Sequence, residues 1–198
     1  MAFAAACANN PAGPSTTVTL NSTASLDGWA QSNGVASASL DGPVVGDEDN
    51  QTPGVGYRQF YSFDISTIPA GAHIVSATLR LYQAIVVGSP YTKLGNVIVD
   101  RVDLGSALDP ADYNVAALNA NIGILSTTAT IEYKTVDVTA AVQADLGATR
   151  GKSQFRLRFS LKDSNNDGVR DLAQFTDAED SCCAVSKPPE LVIEYRTS

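Results

Sequence analysis

The sequence predicts an all-β protein: an antiparallel jelly-roll β-sandwich with one or two short connecting helices. Three observations carry that expectation. Apolar and polar residues alternate with period two in at least seven segments, the spacing that puts one strand face on a core and the other in solvent. Gly, Pro, Asn and Asp cluster between those segments, as in "IPAGAH", "SNNDG" and "SKPPE", where chain reversals need them. Helical periodicity is scarce. With 198 residues, 44% hydrophobic and 17% charged, the chain suits one sizeable core and is too short for two. The expected organisation is an N-terminal arm over residues 1–14 and one sandwich domain over 15–198, without repeat or linker.

"TTVTLNST" opens the strands with alternating β-branched residues, which fit a pleated surface. "YRQFYSFDIS" sets Tyr57, Gln59, Tyr61 and Phe63 on one side and Arg58, Phe60 and Ser62 on the other. "HIVSATLRLYQAIVV" continues as a long strand with Ile74, Leu79, Leu81 and Val87 among its apolar members. "GNVIVDRVDL", "ATIEYKTVDV", "SQFRLRFSLK" and "ELVIEYRT" complete the set. Two helical pieces are expected. "DPADYNVAALNA" starts with Asp109 as N-cap and Pro110 at the first helical position, and "DVTAAVQADLG" is helical from about Thr139 to Gly147. The stretch "ASLDGPVVGDEDNQTPGVG" reads as a long polar loop, with Asp47, Glu48 and Asp49 at a solvated tip.

A formal net charge of −8 argues against sequence-independent nucleic-acid binding and against docking on anionic lipid, both of which need clustered Lys and Arg. It is compatible with neutral glycans, basic partners and divalent cations. No run approaches the roughly 20 apolar residues of a membrane span. "MAFAAACANN" lacks the basic start of an intact signal peptide and reads as a remnant. Cys7, Cys182 and Cys183 lack zinc-ligand spacing, and His73 is the only histidine. If the terminal strands are neighbours, Cys7 pairs with Cys182 or Cys183 in an oxidising compartment; otherwise all three are thiols.

"DSNNDGVRDLAQ" puts Asp163, Asn165, Asp167, Gly168 and Asp171 at positions 1, 3, 5, 6 and 9 of a calcium loop, with the Val169 carbonyl at position 7. Position 12 is Gln174 rather than Glu, and a strand, not a helix, precedes the loop. Asp177, Glu179 and Asp180 follow and are expected to complete an oxygen shell for one structural calcium ion. The competing expectation is a plain hairpin turn, since Asn-Asp-Gly turns without a metal.

Arg58, Arg80, Arg156 and Arg158 lie in strands, and a sheet face carrying Arg and Tyr suits a sugar chain, with rings stacking and guanidinium groups bonding hydroxyls or carboxylates. The plain alternative is four ordinary solvent-facing or acid-paired arginines. Trp29, the single Trp, is either a sugar platform or a partly buried core aromatic. Catalysis has no positive signal: one histidine, no nucleophile elbow and no phosphate-cradling loop.

The ordered series Arg58, Phe60, Phe63, Asp64, "IPAGAHI", "SATLRLY", "DVTAAV", "FRLRFSL" with its Asp/Asn-rich loop, and the closing "PPELVIEY" resembles the DNRLRE-type β-sandwich modules of secreted bacterial and archaeal proteins. These are related to disaggregatase-associated and alginate-type carbohydrate-binding modules. The resemblance spans roughly residues 16–195. It implies a secreted or cell-surface prokaryotic accessory module that binds polysaccharide without turning it over. The alternative expectation is a structural subunit that joins neighbouring copies of itself into a fibre or surface layer through strand addition or sandwich edges.

Overall fold

The structure, a computed structural model, describes residues 13–38, 44–48, 52–179 and 186–197. Its strands are β1 (Ser15–Asn21), β2 (Gly28–Gln31), β3 (Ala36–Ser37), β4 (Val44–Asp47), β5 (Gly56–Asp64) and β6 (His73–Val87). They continue with β7 (Val97–Val102), β8 (Asn119–Ser126), β9 (Tyr133–Asp137), β10 (Lys152–Phe159), β11 (Asp171–Phe175) and β12 (Glu190–Arg196). Two helices, α1 (Pro90–Lys93) and α2 (Thr139–Gly147), connect them. Every strand pairing among the described residues is antiparallel. The protein is an all-β antiparallel sandwich. No described helix is long and apolar enough to cross a membrane.

One layer runs β1-β12-β6-β9, the other β11-β4-β5-β10-β7-β8. The fifteen residues of β6 join them, because its first half pairs with β12 and its last residues with β11. From Ala77 onward β6 alternates with period two, Ala77, Leu79 and Leu81 inward and Arg80 and Tyr82 in solvent contact, while a register shift against β12 brings Ile74 to the same inner side. The main core lies between the layers and includes Tyr61, Phe63, Leu79, Phe155, Phe175 and Ile193.

The outer face of β5 is also covered. Phe60 packs with Ala30, Val102 and Leu104 in a second cluster, roofed by Leu108, Tyr113 and Val115 from the chain that follows β7. That roof corrects the first helix expectation. Asp109 does cap, with its carboxylate accepting the Ala111 N–H at 2.7 Å and Asp112 closing a capping box. The helical turn nevertheless ends at Asn114 as a 3-10 turn. The N–H of Leu118 instead bonds the Arg101 carbonyl at 2.8 Å, and residues 119–126 join the sheet as β8. Tertiary pairing outweighs helix propensity there. The helix at Thr139–Gly147 stands as expected. The polar loop of residues 38–56 contains β4, and Asp47 is wholly buried opposite Asp171 rather than at a solvated tip. Asp49 lies outside the described residues.

Candidate functional site

Three of the four strand arginines are tied to acids, and two of them, Arg58 and Arg156, also hold the roof of the second cluster. Arg58 holds Asp163 through Nε at 2.9 Å and Nη2 at 2.8 Å, lies 4.2 Å over the Tyr113 ring, and donates to the Tyr113 carbonyl. Arg156 donates to Asp100 at 3.1 and 2.7 Å and to the Val115 carbonyl at 2.7 Å. Arg158 reaches the same Asp100 at 2.8 Å. Burial alone would raise the Asp100 carboxyl, but hydrogen bonds from Arg158, the Asn121 N–H and Arg156 hold it below the usual aspartate range. These guanidinium groups clamp the crossing segment to the sheet. Trp29 packs at 5.4 Å from Tyr57, beside Val44 and Leu172, as a partly buried core aromatic.

Arg80 alone of the four stands on an open face. Its guanidinium lies 3.8 Å from the centroid of Tyr133 and bonds Glu190 at 2.7 Å. Tyr82 sits opposite Tyr133 in the β6–β9 register, ring centroids 5.2 Å apart and nearly edge to face. Lys187 Nζ is 4.5 Å from the Tyr82 ring and 5.2 Å from the Tyr133 ring. Burial and the nearby Glu190 charge push the Tyr133 phenol up, so its hydroxyl is neutral at physiological pH. Thr78 and Thr135 extend this outward face along the same strands. Two rings, each with a cation over it, make this an aromatic and cationic face of the sheet. Tyr82 was legible from parity, being two residues after Arg80; Tyr133 and Lys187 depend on strand register and had no local signal.

The acidic loop is organised around protein cations. Lys93, at the end of α1, puts its ammonium 2.9 Å from both Asp167 Oδ2 and Asp171 Oδ2. Asn165 points its amide nitrogen at the same two oxygens, at 3.0 and 3.2 Å. Hydrogen bonds from Lys93 come first in lowering the Asp167 carboxyl, and hydrogen bonds to Asp167 and then Asp171 raise the Lys93 ammonium. Asp167 Oδ1 accepts the Val169 N–H at 2.9 Å, and Ser89 N–H donates to Asp171 Oδ1 at 2.6 Å. Asp163 turns toward Arg58 and Tyr113, leaving its Oδ1 buried without a hydrogen-bond partner. Among the described residues no group of three or more His, Cys, Asp or Glu is arranged to hold a metal ion.

Asp177 and Glu179 do not belong to this loop. Residues 172–176, most of them in β11, separate Asp177 from Asp171, and six residues of extended chain span about 20 Å. They lie instead beside Asp27, so they cannot share an ion with Asp163–Asp171. Asp180 and the three cysteines, Cys7, Cys182 and Cys183, lie outside the described residues.

A groove of about 770 Å³ runs between α2 and the start of β6, lined by His73, Ile74, Ile122, Val138 and Gln143. Its single carboxylate, Asp137, is held by the Thr139 N–H at 2.8 Å. No family model matches the chain, and no curated protein matches it.

Proposed function

We propose that the chain is a non-catalytic, extracellular β-sandwich module of the DNRLRE type, binding polysaccharide on the face formed by Tyr82, Tyr133, Arg80 and Lys187. The tyrosine pair carries this reading. Paired rings at solvent contact, with guanidinium and ammonium groups over them, offer a sugar apolar surface and several donors. Tyr82→Ala and Tyr133→Ala should each weaken binding to a polysaccharide panel by roughly tenfold, the weight of one lost stacking contact. Arg58→Lys should leave binding unchanged. Affinity electrophoresis in acidic and neutral polysaccharides checks this; equal mobility of all four proteins in every gel would refute sugar binding here. Release of reducing ends or unsaturated products would refute the non-catalytic half.

A structural subunit is the second reading, favoured by the edge strand β1. Among the described residues it pairs only with β12, in an unbroken seven-residue register, and it carries neither charge nor proline. Edges usually carry such protection against pairing with another chain. The edge strand β8 of the other layer is interrupted by register shifts. Concentration-dependent polymerisation, abolished by Thr17→Pro or by deleting residues 1–14, is the expected outcome on this reading.

Calcium at the acidic loop belongs to the proposal in a narrower form. An ion there takes the place of the Lys93 ammonium and recruits Asp163 Oδ1. Thermal unfolding with and without calcium should then show a larger calcium-induced rise in Lys93→Ala than in wild type. Equal rises would exclude an ion at that position.

A further inference from the structure

Beyond the far end of β11 from the acidic loop lies a separate set of oxygens. Asp27 follows the 3-10 turn Ala24–Leu26 and is 1% exposed. Its Oδ2 accepts from the Ser22 hydroxyl at 2.5 Å and from the Ala178 N–H at 2.9 Å, while its Oδ1 is buried without a hydrogen-bond partner. Asp177 is 5% exposed, and Glu179 stands at the rim. Behind them Gln59 is wholly buried; its Nε2 donates to the Tyr61 hydroxyl and, at 3.1 Å, to the Phe175 carbonyl. The Oε1 of the same carboxamide has no hydrogen-bond partner. Tyr61 donates to the Thr176 carbonyl at 2.9 Å. The β2–β5 register pairs Gly28 with Phe60 and Trp29 with Gln59, which sets Asp27 next to Tyr61 at the end of that ladder. Burial first, then the charges of Asp27 and Asp177, push the Tyr61 phenol well up.

Two buried oxygens without donors, Asp27 Oδ1 and Gln59 Oε1, thus lie on neighbouring segments, and the Ala178 N–H bond brings the chain that carries Asp177 against Asp27. The charges felt by Asp27 are both acidic, from Glu179 and Asp177, whereas the 163–171 loop has Lys93 and Arg58. Orphaned buried acceptors are rare in folded proteins because each has given up water for nothing. A proton on Asp27 satisfies one oxygen and leaves Gln59 Oε1 as it is. A hard cation satisfies both and removes the repulsion between the acids.

We propose that Asp27 Oδ1, Gln59 Oε1 and the Asp177 carboxylate form a site for a divalent cation of the calcium class, with water completing the shell and Glu179 at its mouth. Three carboxylates do not converge here, so the ion draws on neutral oxygens, which calcium accepts in six- to eight-fold shells. Its place explains its effect. It would tie the turn before β2 to the end of β11, joining segments distant in sequence at one end of the sandwich.

The test titrates calcium into the chelator-stripped full chain at neutral pH, reading thermal unfolding and terbium luminescence sensitised by the neighbouring Tyr61. Wild type and Asp167→Ala should both show a saturable terbium signal and a calcium-dependent rise in midpoint. Asp27→Asn and Asp177→Asn should weaken both signals by about tenfold or more, since each removes an anionic ligand. Should Asp27→Asn fail to fold, Asp177→Asn decides. Absence of both signals in wild type at millimolar calcium overturns the proposal. Retention in Asp27→Asn with loss in Asp167→Ala also overturns it, by moving the ion to the acidic loop and leaving that separate reading intact.

Discussion

Asp100→Ala should lower the unfolding free energy by about 3–5 kcal/mol, the size of effect seen when one partner is removed from a buried ion pair. Asp100 has no solvent exposure and holds Arg156 through Nε and Nη2 and Arg158 through Nε. Arg156 is itself buried, at 6% exposure, so truncating the acid leaves a charge that water cannot reach. Asp100 also accepts the Asn121 N–H at 2.8 Å, where β8 adopts a positive φ of 51°. The loss therefore extends to the edge strand and to the Val115 carbonyl that Arg156 holds. Urea unfolding should show a lower midpoint for Asp100→Ala, and the double variant Asp100→Leu/Arg156→Met should regain much of it, because neither charge is then stranded. The pH response follows from the depressed carboxyl. Asp100 contributes fully above its unfolded pKa, and that contribution disappears as pH falls through the lower folded value. A stability within about 0.5 kcal/mol of wild type, the spread of neutral surface changes, would show that the clamp is not structural.

The arginines show where the sequence ran out. Alternation in "FRLRFS" and "YRQFYSF" correctly separates Arg156 and Arg158 from Phe155, Leu157 and Phe159, and Arg58 from Tyr57 and Gln59. Parity alone takes the arginine side for solvent. It is covered, because the 103–118 segment crosses it, and no local pattern announces a crossing chain. The helix from Thr139 and the long strand from His73 were legible because each carries its own periodicity and its own stop signal. β4 was not legible, being four residues held by pairing with β11 and β5 and by packing of Val44 and Val45 into two separate clusters. The acidic stretch was legible in composition only, as a cluster of acids in need of counter-charge. Which cation meets which acid depends on α1 delivering Lys93 from 74 residues away in sequence. Asp27 and Gln59 gave no signal, since a lone acid and a lone amide gain significance only from a shared buried environment.

In chelator, wild-type stability should fall by about 2–4 kcal/mol as pH rises from near 4 to near 7, and Asp27→Asn should abolish most of that fall. Burial, partly offset by hydrogen bonds from Ser22 and the Ala178 N–H, carries the Asp27 carboxyl from 3.8 up to about 7, with Glu179 and Asp177 adding repulsion. Between those values the folded state keeps a proton that the unfolded state has released. Raising pH through this window therefore favours unfolding, and above about 7 both states are ionised and the loss is complete. The amide introduced by Asp27→Asn would retain an acceptor for Ser22 and Ala178 while placing a neutral group among the acids. The two proteins should be nearly equal near pH 4, and the variant should melt roughly 5–10 °C higher above pH 7, for a domain of this size. Glu179, raised first by burial and then by Asp177, works in the same direction at the rim. Thermal unfolding across the pH range, in chelator and then in calcium, separates a proton from a metal as the counter-charge. In calcium the wild type should recover its high-pH loss and the variant should not. A wild-type midpoint that climbs steadily through the window in chelator would mean that Asp27 is ionised in the folded state throughout, and would remove the basis for treating this buried carboxylate as uncompensated.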